Sequence, residues 1–154
     1  MHRTFPPPRL SRRATWPALA AATALLAGCG AAGPRATGST AQVSGSDGPQ
    51  LVTLKASEFA FSAPTVRVQV NRPVRLVLEN GGLLEHDVKA VRVPASGVKT
   101  SSEGHGHGND VAAHSLPGKQ AWVEFTPTRK GTYALECTVT GHKEAGMKGT
   151  LIVE

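Results

Sequence analysis

A hydrophobic period of two dominates the chain from Leu51 onward, broken at residues 95–116, and nowhere gives way to a helical stripe. No other feature limits so strongly what this sequence can become. Val66, Val68 and Val70 alternate with Thr65, Arg67 and Gln69. Val74, Leu76 and Leu78 alternate, less cleanly, with Arg75, Val77 and Glu79, and Val88 and Ala90 continue the rhythm. Ala121, Val123 and Phe125 repeat it against Trp122 and Glu124, and Tyr133, Leu135 and Cys137 against Thr132, Ala134 and Glu136. Side chains of a strand point to opposite faces in turn, so such runs are strands with one face buried. Gly and Pro interrupt them at Pro64, Pro73, Gly81-Gly82, Pro94, Pro117-Gly118, Pro127 and Gly131, which keeps each strand short. Roughly seven or eight such strands in one domain-sized stretch predict an all-β sandwich.

The first 50 residues follow other rules. Arg3, Arg9, Arg12 and Arg13 precede an apolar, Ala-rich run from Trp16 to Ala27. As a helix this run would span about 18 Å, short of the ~30 Å hydrocarbon core of a bilayer. It therefore reads as the core of an export signal, residues 1–28. Leu26-Ala27-Gly28-Cys29 matches a bacterial lipobox. That resemblance implies cleavage before Cys29, acylation of its side chain and a membrane anchor on the extracytoplasmic face, periplasmic or cell-surface. A soluble secreted product is the alternative. Arg12-Arg13 also leaves twin-arginine export open beside the general route. Residues 29–50, rich in Gly, Ser, Ala and Thr, carry no apolar period and read as a flexible tether reaching about 25 Å.

The formal charge of +6 could suggest a nucleic-acid partner. However, four of the 17 basic residues and none of the acids lie in the signal, so the mature charge falls to +2. No basic cluster remains, and nucleic acid is excluded as a partner. The cysteines are constrained in the same way. With Cys29 acylated, Cys137 has no disulfide partner and faces oxidation outside the cytoplasm unless something protects it. Metal ligation would.

Ala95 to Leu116 is polar, Gly-rich and aperiodic, longer than an ordinary sandwich connection. Its His105, His107 and His114 leave two readings: a solvated surface loop, or a secondary site that captures an imidazole-binding metal.

Cys137, His142 and Met147 follow one another at intervals of five near the C-terminus. A thiolate and an imidazole, with a distant thioether, make three parts of a trigonal copper site, which needs a second histidine. His86, just after the Gly81-Gly82 turn, is the one histidine of the mature chain outside the odd loop and the final motif. With His86, with Gly131-Thr132-Tyr133 leading to Cys137, and with C-x4-H-x4-M followed by Lys148-Gly149-Thr150-Leu151, the chain resembles the cupredoxins, the blue-copper electron-transfer proteins. The resemblance spans Leu51 to Glu154, with residues 95–116 as an insertion.

It implies a Greek-key sandwich and one copper per chain. Cys137 would be the thiolate ligand, His86 and His142 the imidazoles in the plane, and Met147 the weak axial thioether. Asp87 would tie the histidine strand to the ligand loop at Thr138. His142 would reach the surface as the electron port for redox partners, among Lys143, Glu144 and Lys148. A monomeric, membrane-tethered electron carrier is the function implied, with copper capture or delivery as the alternative. Catalysis is not expected. Cys137 lacks flanking histidines that would link copper centres, and no second cysteine stands near it for a dinuclear one.

Overall fold

The computed structural model describes residues 40–41, 48–102 and 110–154. They form eleven strands in two sheets. In chain order these are β1 (Thr40–Ala41), β2 (Gln50–Ser57), β3 (Ala60–Phe61), β4 (Thr65–Val68), β5 (Val74–Asn80), β6 (His86–Ala90), β7 (Ala95–Thr100), β8 (Ala112–Ser115), β9 (Gln120–Pro127), β10 (Gly131–Glu136) and β11 (Lys148–Val153). One sheet runs β1-β4-β11-β10-β6-β8 and the other β3-β2-β5-β9-β7.

The period of two does what it predicted. In β2, Val52, Leu54 and Ala56 are buried while Leu51, Thr53, Lys55 and Ser57 face outward. Val74, Leu76 and Leu78 of β5 and Ala121, Val123 and Phe125 of β9 join them. From the opposite sheet, Val66, Val68, Val88, Leu135, Leu151 and Val153 complete a single core. Each large aliphatic side chain buried this fully contributes about 1.5–3 kcal/mol. Less clean runs have a local cause. Trp122 lies on the outer face of the second sheet, where the Arg75 guanidinium stacks 4.4 Å from its ring and pairs with Glu124 at 2.6 Å.

The strand count exceeds the seven or eight expected, because backbone pairing can recruit segments that have no apolar period. Ala95–Leu116 is not one loop: its ends are β7 and β8. β7 is an edge strand with a register shift between Ser96 and Lys99 and largely exposed side chains, so alternation cannot mark it. In β8, Ala112 and Ala113 are both buried, and small residues buried on both faces also erase the period. The tether reading fails locally too. Thr40–Ala41 pairs in parallel with Thr65–Val66, and Gln50, 1% exposed, already belongs to β2. The Gln50 amide anchors that end by accepting the Gln69 N–H at 2.6 Å. Residues 1–28, Cys29, His105 and His107 lie outside the described residues.

The topology matters most at one end of the first sheet. β10 and β11 are antiparallel neighbours, with Glu136 opposite Lys148. Residues 137–147 therefore form the loop of one wide hairpin. β6 is antiparallel to β10, with Glu136 opposite Lys89. This register brings the first residue of β6, His86, to the end where β10 runs out into Cys137. At the other end of β10, the Tyr133 hydroxyl donates to the Arg129 carbonyl at 3.1 Å and fixes the turn into the strand.

Candidate metal centre

Four buried side chains meet this end of the sheet or the loop beyond it: His86, Cys137 and Met147 at 0% exposure and His142 at 6%. The loop is shaped by its own backbone. His142 N–H donates to Val139 C=O at 3.0 Å, and Met147 N–H to His142 C=O at 3.0 Å. Cys137 N–H closes the ring on Met147 C=O at 3.1 Å. Gly141 and Gly146 take φ of 82° and 112°, a region other residues enter only with strain, so two glycines allow the loop to turn back twice.

The ring nitrogens His86 Nδ1 and His142 Nδ1 face each other at 3.2 Å, and Cys137 Sγ lies 3.6 Å from His142 Nδ1. One donor atom from each of the three residues falls within 4.8 Å of the others. Metal bonds of about 2.0 Å to imidazole and 2.3 Å to thiolate would place donors of a trigonal plane roughly 3.5–3.7 Å apart. The observed separations fit that set. Two imidazoles and one thiolate suit copper, and no carboxylate enters the cluster.

The electrostatics favour a neutral resting pocket. Burial pushes the Cys137 thiol up to about 11, against the opposing pull of the Asp87 and Val139 N–H groups. Burial, and then the nearby His142, hold His86 below its usual value, with Glu58 and Asp87 partly opposing. An incoming metal cation therefore meets a neutral His86 imidazole and displaces the Cys137 thiol proton.

Asp87, 2% exposed, accepts the Thr138 N–H at 2.6 Å and the Thr138 hydroxyl. Its own N–H points at Cys137 Sγ from 3.5 Å. One residue thus fixes the histidine strand to the ligand loop and places a hydrogen-bond donor on the sulfur.

His142 is not at the surface. The ring of Phe59, in the turn between β2 and β3, stands edge-on to it, with centroids 5.2 Å apart and planes at 89°. Phe59 has φ of 61°, unusual for a bulky residue, so the turn is held in a sparsely populated conformation to keep the ring there. His114 does not join the three ligands. It sits on β8 opposite Asp87, with Nε2 3.5 Å from Glu85 Oε2. Lys143 lies 3.5 Å from Glu136.

Sequence reasoning passed over the supports behind His86. Asn80, 3% exposed, donates to the Leu84 and Ser115 carbonyls at 2.8 and 2.9 Å and accepts the Gly82 N–H at 2.9 Å. Glu58 accepts the Leu83 N–H at 2.5 Å. The Asn-Gly-Gly string was a turn signal that carried the first of these. Nothing local marked Glu58, which comes from another hairpin.

Residues 50–154 match the family model of copper binding proteins, plastocyanin/azurin family. The chain belongs to that family. Among curated relatives, this cupredoxin is 26% identical over 98 residues to the copper-resistant cuproprotein CopI of Rubrivivax gelatinosus. The match covers 60% of this chain and 59% of the relative, so the chain spans about three fifths of that protein's length. Among solved structures, the dithionite-reduced auracyanin of Roseiflexus castenholzii superposes with a TM-score of 0.54 at 18% identity, over 70% of this chain and 98% of that one. Auracyanin A, a "blue" copper protein of Chloroflexus aurantiacus, gives 0.54 at 21% identity, over 70% and 100%. At such identities the likeness carries the fold, and the copper assignment rests on the family match and on His86, Cys137 and His142.

Proposed function

We propose that this cupredoxin is a one-electron carrier, exported and held at the extracytoplasmic face of a membrane by acylated Cys29, with Met147 as the weak axial ligand to its copper. The buried cluster of one thiol and two inward-facing Nδ1 atoms carries this reading. Copper bound there supplies a one-electron couple. The protein's own residues do the rest. Cys137, once deprotonated, is a ligand that copper leaves reluctantly. The antiparallel frame and the Asp87–Thr138 tie hold the donors in one arrangement, so little needs to move when the charge changes. Burial of all four side chains excludes water.

Redox partners would dock over the turn that covers His142. Phe59 is 41% exposed, and Leu83 and Leu84, joined to that turn through Glu58, are 87% and 44% exposed. This apolar surface, not an exposed histidine, would be the contact. No substrate and no catalysis are part of the reading.

Copper capture or delivery is the second reading, favoured by the likeness to the copper-resistant cuproprotein CopI. Copper titration of the protein, with Cys137→Ala as control, begins the test. The carrier reading expects one equivalent, an intense thiolate band in the visible that the variant lacks, and repeated reduction and reoxidation in the presence of a competing chelator without loss of metal. Transfer of the metal to the chelator within one cycle would sink the carrier and leave the capture reading standing.

A further inference from the structure

When a histidine ligates through Nδ1, its proton sits on Nε2, and that N–H needs an acceptor that also fixes the ring. Phe59 packs against His142, and His86 poses a sharper problem. Its Nδ1 faces the cluster, and its Nε2 is buried with no hydrogen-bond partner among the described residues. The far side of the ring faces Gly82. A Cβ on Gly82 would fall 3.0 Å from His86 Nε2 and 2.6 Å from Glu58 Oε1. The carboxylate and the imidazole nitrogen therefore approach each other across the one residue that has no side chain to separate them. Glu58 is already anchored there by the Leu83 N–H at 2.5 Å. That N–H, the Glu58 N–H itself and the Leu84 N–H hold its carboxyl below the usual carboxylate range.

We propose that Glu58 is the positioning residue of the copper site: its carboxylate takes the His86 Nε2–H when copper is bound at Nδ1, and Gly82 is glycine so that the two can meet. The inference rests on ligation by His86 and is independent of whether the copper carries electrons. An anionic acceptor behind a ligand makes the imidazole more basic and adds negative charge near the metal. Both effects favour the dication, so removing Glu58 raises the affinity for Cu(I) relative to Cu(II).

The test uses the copper protein and Glu58→Gln, Glu58→Ala, Gly82→Ala and Glu154→Gln. Glu154→Gln removes the same charge beyond the far end of β11. Two quantities are read: the solvent exchange of the His86 Nε2–H in the diamagnetic Cu(I) form by NMR, and the Cu(I)/Cu(II) affinity ratio by potentiometry. Exchange should be at least about tenfold faster in Glu58→Ala and Gly82→Ala than in the parent. The ratio should rise about threefold or more in both and in Glu58→Gln, equivalent to roughly 30 mV at ~59 mV per tenfold change, and stay unchanged in Glu154→Gln. Glu58→Gln keeps the side-chain volume and can still accept from Leu83, so it guards against collapse of the loop. Unchanged Nε2–H exchange in Glu58→Ala, an unchanged ratio in Glu58→Gln with its visible band intact, or an equal shift in Glu154→Gln would overturn the proposal.

Discussion

Asp87→Ala should destabilise the metal-free domain by about 2–3 kcal/mol, and Asp87→Asn should restore most of that loss. Asp87 is 2% exposed and accepts two hydrogen bonds, from the Thr138 N–H and hydroxyl. Bonds to an ionised acceptor are worth about 1.5–3 kcal/mol each. Their sum overstates the effect, because Thr138 is itself exposed and water can reach its freed donors. The net loss therefore falls below that sum, at about 2–3 kcal/mol. Asparagine can accept the Thr138 N–H with its carbonyl, and its amide can donate to the hydroxyl oxygen after that group rotates. For a domain of this size ~1 kcal/mol shifts the midpoint by roughly 4–8 °C, so thermal unfolding followed by circular dichroism should place Asp87→Ala about 10–15 °C below the parent. In the copper-loaded protein, Asp87→Asn should also raise the reduction potential, since it removes a negative charge beside the ligand strand. An Asp87→Ala midpoint within a few degrees of the parent would refute the tie. Equal losses in Asn and Ala would show that charge, not hydrogen-bond geometry, sets its worth.

Met147→Gln should lower the reduction potential, since a hard oxygen in the axial position favours Cu(II), while Met147→Leu should keep the fold within ~1.5 kcal/mol of the parent; voltammetry and urea unfolding check the pair. Copper uptake by the metal-free protein should strengthen about tenfold per pH unit between roughly pH 7 and 9. The Cys137 proton must leave a thiol raised to about 11, whereas His86, lowered by burial, is already neutral there and adds no slope. Competition titrations that give a pH-independent affinity would contradict this. The same raised thiol stabilises the metal-free fold below its ordinary value of 9.0, and that contribution is lost as pH rises through about 11. Cys137→Ala should abolish that pH dependence in urea unfolding. Phe59→Ala should uncover His142 and speed electron exchange with small hydrophilic oxidants; stopped-flow rates equal to the parent's would show that the ring shields nothing.

Much of this molecule was legible in one dimension because its signals are local. A strand with one buried face must alternate, so Val66-Val68, Leu76-Leu78 and Val123-Phe125 announced both their conformation and their inward faces. Cys137 and His142 share one hairpin loop, so their spacing survives folding and two of the three clustered donors stand close together in the sequence. What lacked a local signature was missed or misplaced. β7 and β8 pair through backbone groups that every residue carries, and Thr40–Ala41 joins an edge the same way. His86 could be nominated from sequence, but its 3.2 Å approach to His142 follows from the β6–β10 register, a relation between residues 56 positions apart. Glu58 and Phe59 reach the site from a different hairpin, one against the loop before His86 and the other against His142. The sequence by itself determined most of the strands and the spacing of Cys137 and His142, because periodicity and loop spacing are properties of a short stretch of chain. Only the tertiary structure decided what surrounds the metal, because burial, acceptors and exposure arise where distant stretches meet.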